Sequence, residues 1–265
     1  MNTALSVSDG ADLDFTEEEI QRYSRHILLP EIGGSGQAAL RRARVLVIGA
    51  GGLGSPLALY LAAAGIGTIG LVDDDRVELS NLQRQIAHTA SRLGEAKTAS
   101  AAAGARAINP LCRVEEHPFR LGEREAAGLI QRYDLVCDGS DNFTTRYLVA
   151  DTCVREKRTL VSAAVLRFEG QLSVFKPHAH AEGPCYRCLY PEAPPPGLAP
   201  SCAEAGVLGS VTGVMGTLQA TEVIKEILGI GESLSGRLLL WDALATRFRT
   251  IRVPRDPRCS VCGAA

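Results

Sequence analysis

Gly49-Ala50-Gly51-Gly52-Leu53-Gly54 is the first segment of the 265-residue chain whose residue types are set for chemistry. Gly49, Gly51 and Gly54 hold the fixed positions of a G-x-G-x-x-G loop, with Gly52 beside them. Glycine permits the tight turn and lets backbone amides approach a phosphate, and the N-terminus of a following helix adds favourable dipole charge. Asp73 closes the next apolar run, where a carboxylate can bind ribose hydroxyls. To this point NAD, FAD and ATP fit equally. Asn81-Leu82-Gln83-Arg84-Gln85 and Lys97 separate them. Hydride transfer needs little cationic charge near a pyrophosphate. An enzyme that expels pyrophosphate must stabilise charge on the β and γ phosphates, and arginine and lysine donors placed in advance do so. Solvated surface charge is the alternative for Arg84 and Lys97.

Asp141 follows a buried strand, on the side where open α/β sheets bind ligands. It suits Mg2+ held between phosphate oxygens; the competing reading is an N-cap for the helix starting at Phe143. Asp138 competes for either role. Cys185-Tyr-Arg-Cys188 and Cys259-Ser-Val-Cys262 are two thiolate hooks, together suited to a tetrahedral Zn2+. Four protein ligands leave no open position, so the predicted role is structural, joining a proline-rich loop to the later strands. A redox dithiol in each pair is the alternative. Cys202, at the end of the proline-rich loop, reads equally as a nucleophile or sulfur carrier and as a small buried residue. Cys112, Cys137 and Cys153 read as core.

The elements that must position these groups follow from periodicity. Residues 17–29 look helical. Gly33-Gly34-Ser35-Gly36 reads as a turn, followed by a short basic helix to Arg44. Val45–Ile48, Thr68–Val72 and Asp134–Cys137 are continuous apolar runs of buried parallel strands. Helices are expected from the glycine loop to Gly65, over 91–107 and over 143–157, with Leu160–Ala164 again a strand. This alternation predicts a Rossmann-like, doubly wound, mostly parallel sheet. Gln171–Phe175 alternates like a strand, 176–205 is a proline-rich connection, and Val211–Leu228 is a helix stopped by Gly229. Arg237–Trp241 and Arg247–Val253 read as an antiparallel hairpin. Met215 falls on the apolar stripe of its helix and is assigned to the core.

A net charge of −2 gives no general attraction to nucleic acid. Apolar stretches are interrupted well before the ~20 residues of a membrane span. There is no basic-then-apolar leader, so the expected location is the cytoplasm and the cysteines are not expected to form disulfides. Residues 1–19 carry Asp9, Asp12, Asp14, Glu17, Glu18 and Glu19 without a base, and read as a flexible acidic tail. Residues 20–265 read as one domain: a nucleotide-binding part (20–175), a crossover loop (176–205) and a part with strands and zinc hook (206–265).

Arg22-Tyr23-Ser24-Arg25, the glycine loop, Asp73, Ser80-Asn81-Leu82-Gln83-Arg84-Gln85, Lys97, Ser140-Asp141-Asn142, both Cys-x-x-Cys pairs and Glu204-Ala205-Gly206-Val207 together resemble the MoeB/ThiF/HesA family, bacterial relatives of ubiquitin-activating enzymes. The resemblance runs over about residues 20–263. It implies that ATP and Mg2+ are bound, and that the Gly-Gly tail of a ubiquitin-like sulfur carrier attacks the α-phosphate to give an acyl-adenylate and pyrophosphate. It places Asp73 on the ribose, Asn81, Arg84 and Lys97 on phosphates, and Asp141 on magnesium. Arg25 matches an arginine that reaches into a neighbouring protomer's site, which implies a homodimer. The proline-rich loop would cross over the carrier tail, and the C-terminal strands would bind the carrier. MoeB-like members serve the small subunit of molybdopterin synthase (the MoaD-like carrier), and the segment Pro191–Gly209 leans that way. ThiF-like members serve the ThiS-like thiamine carrier, with a loop cysteine matched by Cys202 in sulfur transfer. No rhodanese-like segment follows Cys262, so a separate sulfur donor is expected. Two other classes compete: an NAD-dependent oxidoreductase, which leaves Arg84, Lys97 and the thiolates without a role, and an inactive carrier-binding module, which would be free to lose members of the set.

Overall fold

Arg44–Ile48 (β1) buries both of its faces, as expected of a strand without a polar side after its first residue. Val45 and Val47 enter one core with Leu57, Leu61 and Met215. Leu46 and Ile48 enter a second with Val136, Ile130 and Phe175. The sheet therefore has a hydrophobic layer on each side, the doubly wound arrangement. The computed structural model describes residues 14–180, 182–195 and 205–263. Residues 1–13 of the acidic tail, and 196–204 with Cys202, lie outside them.

Among the described residues one eight-stranded sheet has the order β3-β2-β1-β4-β5-β6-β7-β8. Thr68–Val72 (β2), Arg113–His117 (β3), Leu135–Asp138 (β4) and Thr159–Leu166 (β5) run parallel with β1. Glu169–Phe175 (β6), Arg237–Asp242 (β7) and Arg247–Arg252 (β8) continue it antiparallel. The chain leaves β1 toward β2 on one side and returns to β4 on the other, so a crevice opens where these strands end.

Glu17–Ile27 (α1) carries a capping box from Thr16 and Glu19. Gly33–Arg42 (α2) begins inside the glycine-rich run, which is thus helical rather than a turn. Gly36 has Ile32 and Leu228 against it, so small residues there serve helix packing. Gly54–Ala64 (α3) ends on Gly65 in the left-handed region. The helix expected over 91–107 is a short 3-10 turn at Ala90–Arg92, a break at Gly94 (φ 83°), and then Lys97–Ile108 (α4). β3 and Glu123–Ile130 (α5) had no sequence signal; β3 buries only Val114 and so shows no apolar pattern. Phe143–Arg155 (α6) and the single turn Tyr186–Leu189 (α7) cover one face. Gly209–Leu228 (α8) crosses the other, seated on α3 where Gly216 leaves room: a Cβ there would meet the Leu53 carbonyl oxygen at 2.6 Å. Cys112, Cys137, Cys153 and Met215 are buried in the core. Among the described residues no helix is long and apolar enough to cross a membrane.

Candidate active site

The crevice is a cleft of about 400 Å3 at the ends of β1, β2 and β4. Gly49 takes φ 90° and donates its N–H to the Val72 carbonyl at 2.8 Å, which turns the chain off β1. A Cβ on Gly54 would lie 1.8 Å from the Gly49 carbonyl oxygen. Only glycine lets α3 start so close to the strand it follows. Gly51 and Gly52 form the cleft wall at that helix start, and their N–H groups have no partner among the described residues. Free amides at a helix N-terminus suit a phosphate.

Asp73 braces this loop. Its Oδ2 accepts from the Ala50 N–H at 2.8 Å and its Oδ1 from the Asp75 N–H at 2.9 Å. Burial holds its carboxyl above the ordinary range against those hydrogen bonds and the nearby Lys97 charge. Lys97, the first residue of α4, is carried into the wall by antiparallel pairing of Arg76 with Ala96. Its Nζ donates to Asp75 Oδ2 at 2.7 Å. Arg84 also lines the cleft, its Nη1 on the Ser80 carbonyl at 3.0 Å. The turn bearing it is buttressed by α8: a Cβ on Gly209 would sit 2.2 Å from the Gln83 carbonyl oxygen. Asn81 is buried, accepts from the Glu78 N–H at 3.0 Å, and is not a wall residue of the cleft. Its place is in the turn that presents Arg84.

The two aspartates after β4 part ways. Asp138 is 1% exposed and accepts from the Ser140 N–H and hydroxyl and from the Ser162 hydroxyl. That full set of donors makes it a brace for the loop. Asp141 is exposed in the cleft wall and has no hydrogen-bond partner among the described residues. The N-cap of α6 is Asn142, which accepts from the Thr145 N–H at 2.9 Å, so Asp141 is not the cap. Arg25 is exposed on α1 and does not line the cleft of its own chain.

Several wall residues were given no role from the sequence. Gln85 lines the cleft and is 4% exposed, and its Oε1 is buried without a hydrogen-bond partner among the described residues. Arg120 follows β3, itself unannounced. Arg146 donates twice to the Ser140 carbonyl, at 3.1 and 2.7 Å, and fixes the Asp141 loop. With Asp141 and Val165 it also lines a second cleft of about 330 Å3, whose far wall includes Gln171, Tyr186 and Tyr190. Tyr190 donates to Gln171 Oε1 at 2.8 Å, and Tyr147 donates to the Tyr190 carbonyl at 3.0 Å. These bonds hold α7 against the sheet.

The four hook cysteines meet. Their Sγ atoms all lie within 4.8 Å of one another, with Cys185–Cys259 at 3.5 Å, Cys188–Cys262 at 3.4 Å and Cys185–Cys188 at 3.9 Å. Zinc–thiolate bonds of about 2.3 Å place tetrahedral sulfurs about 3.8 Å apart, so the spacing fits zinc. Burial works against ionising Cys259, but the Cys262 and Val261 amides beside it bring its thiol down to about 7. Asp73, Asp74 and Asp75 also lie close together, but Asp73 is committed to the loop and Asp75 to Lys97.

A cleft at a parallel sheet's switch point, walled by glycine amides, cations and a free carboxylate, defines a nucleotide-binding α/β protein. The ThiF family pattern matches residues 23–261, and the chain belongs to that family. It is 53% identical over 251 residues to the sulfur carrier protein adenylyltransferase of Thermus thermophilus, covering 94% of this chain and 93% of that one. It is 54% identical over 249 residues to the adenylyltransferase and sulfurtransferase MOCS3 of Bos taurus, covering 94% of this chain and 54% of the relative. It is 54% identical over 243 residues to the probable adenylyltransferase/sulfurtransferase MoeZ of Mycobacterium tuberculosis, covering 91% and 62%. The chain thus spans less than two thirds of the bovine and mycobacterial relatives. In fold it is similar to Escherichia coli MccB solved with ATP, with a TM-score of 0.79 at 23% identity over 92% of this chain and 75% of that one.

Proposed function

We propose that this chain adenylylates the C-terminal Gly-Gly carboxylate of a ubiquitin-like sulfur carrier, releasing pyrophosphate from ATP. The observation that carries the reading is the convergence of Lys97, Arg84 and the unpartnered Asp141 on the cleft that the glycine loop builds. A nicotinamide enzyme has no use for that set. Asp73 would meet the ribose, and the Gly51 and Gly52 amides the phosphates. Asp141 would hold Mg2+, which supplies charge neutralisation at the phosphates. The second cleft, joined to the first through Asp141, Arg146 and Val165, suits an extended tail entering beside Gln171 and Tyr190.

The reaction needs little from the protein beyond placement and charge. A carboxylate is ionised at neutral pH and attacks the α-phosphate without a general base. Lys97 and Arg84 stabilise charge growing on the departing pyrophosphate in a partly dry site. The product anhydride makes the carrier's carbonyl reactive. Residues 20–265 act as one unit, paired with a second copy whose Arg25 completes the site. Zinc held by Cys185, Cys188, Cys259 and Cys262 is structural. The cytoplasm is the proposed location, and a separate protein the proposed sulfur donor.

The proposed carrier is the MoaD-like subunit of molybdopterin synthase, favoured by the resemblance of Pro191–Gly209; a ThiS-like carrier with Cys202-linked transfer is the alternative. Mass spectrometry of both carriers after incubation with this protein and Mg·ATP tests the reading. An adenylyl adduct on the MoaD-like carrier is expected. No adduct on any Gly-Gly-ended carrier removes the function, and an adduct confined to the ThiS-like carrier removes the pathway. Full-rate ATP–pyrophosphate exchange by Asp141→Ala removes the magnesium assignment.

A further inference from the structure

Ala50 is held from both sides. Its N–H donates to Asp73, and its carbonyl oxygen lies 3.0 Å from His88 Nε2. A carbonyl oxygen only accepts, so Nε2 carries the ring proton. Nδ1 is 2.9 Å from Ser100 Oγ and, in the neutral ring, accepts from that hydroxyl. His88 is 5% exposed and Ser100 0%. His88 lies in the turn that follows Arg84 and Gln85, and Ser100 in the first turn of α4, the helix that Lys97 opens. Neither side chain lines the cleft, and none of the chemistry above uses the imidazole.

The Ala50 carbonyl and the Gly51 N–H belong to one trans peptide and point in opposite directions. Anchoring the carbonyl on a buried ring beneath the loop therefore turns the Gly51 N–H the other way, into the cleft that Gly51 lines. We propose that His88 is a positioning residue of the phosphate site: its Nε2–H fixes the Ala50–Gly51 peptide so that the Gly51 amide faces a nucleotide phosphate. The Ala50 carbonyl sets the tautomer, and Ser100 adapts to it by donating its hydroxyl to Nδ1. Burial first, and then the Lys97 and Arg92 charges, keep the ring's pKa below its ordinary value, against the pull of the Ala50 bond. His88 thereby ties the glycine loop to the helix that carries the cationic donor. Oriented loop amides are a recurring means of binding anions, and the other donor on the Ala50 carbonyl among the described residues, the Ser55 hydroxyl, is at a long 3.5 Å, so the imidazole is the closer anchor.

The inference rests on the nucleotide reading of the cleft, and calorimetry of the full chain with Mg·ATP and with adenosine tells the two apart. His88→Phe fills the ring's volume without a donor. It is expected to weaken ATP about tenfold and adenosine less than about twofold. His88→Gln keeps an N–H donor and is expected to recover most of the loss. Unchanged ATP affinity in His88→Phe, or equal weakening of both ligands, overturns the proposal. Should His88→Phe fail to fold, nitrogen-15 NMR of the wild-type imidazole decides: the Nε2–H tautomer supports the anchor and the Nδ1–H tautomer defeats it. A wild-type chain that binds adenosine and ATP equally, or neither, defeats the nucleotide reading and the anchor together, and shows this before any variant is made.

Discussion

Lys97 and Asp75 form an ion pair of unequal partners: the lysine side chain is 8% exposed and the aspartate 65%. The exposed carboxylate is well solvated, so the pair contributes little to stability. What it does is hold a buried ammonium at the cleft wall. Lys97→Met is expected to lower the rate of ATP–pyrophosphate exchange about 10²–10³-fold, the usual effect of losing one transition-state charge donor. Its melting temperature should stay near or above wild type, because an apolar side chain fits the buried site at no desolvation cost. Exchange assays and thermal melts on the same preparation check both halves.

Gly54→Ala places a methyl group 1.8 Å from the Gly49 carbonyl oxygen, a clash with backbone that no side-chain movement relieves. The expected loss is at least ~3 kcal/mol of stability, along with nucleotide binding. Gly128→Ala, where a Cβ meets nothing within 4 Å on α5, is the matched control and should be neutral or slightly stabilising. Urea unfolding distinguishes them.

Removal of zinc by a chelator, or Cys259→Ser, is expected to lower the melting temperature by on the order of 10 °C. It should also raise the KM for the carrier more than that for ATP, because Tyr186 and Tyr190 beside the hook line the second cleft, whereas the glycine loop lines the first. Metal content by atomic absorption, set against the two KM values, is the measurement.

Burial is the first cause that lowers the pKa of both His88 and His117. A base with a depressed folded pKa binds its proton more readily when the chain unfolds. The stability it gives is complete above the unfolded value of about 6.5 and is lost as pH falls through the folded value. Asp73, raised by burial, opposes this only near the carboxylate range. Urea midpoints are therefore expected to fall from pH 7.5 to pH 5.5, and His117→Phe should flatten part of that slope.

Residues with a strong local requirement were legible before folding. The glycine loop and the strands around it announce themselves, since only glycine fits that turn and an apolar run must be buried on both sides. Asp141 was readable as a candidate but not separable from a helix cap, and only the Asn142–Thr145 bond frees it. Lys97 was readable as a cation, whereas its Asp75 partner depends on Arg76 pairing with Ala96. Arg120 and Arg146 were hidden because each is an ordinary polar residue until long-range packing aims it. β3 was hidden because Arg, Glu and His occupy four of its five positions. His88 carried no reading of its own, since its partners Ala50 and Ser100 come from other elements. Gly33–Gly36 misled because helix–helix contact, like a turn, favours residues without bulk.

The hook cysteines have a further consequence, for the order in which the molecule can be completed. Cys185 and Cys188 flank the tyrosine side of the second cleft, but their two remaining partners arrive only after α8 and the β7–β8 hairpin have been synthesised. A metal held by all four sulfurs would therefore close a large circuit through that whole stretch, as a buckle closes a belt. Under the proposed zinc and carrier assignments, that wall of the second cleft would stay unfastened during synthesis until the circuit shut, and metal supply would act as a late checkpoint on tail entry.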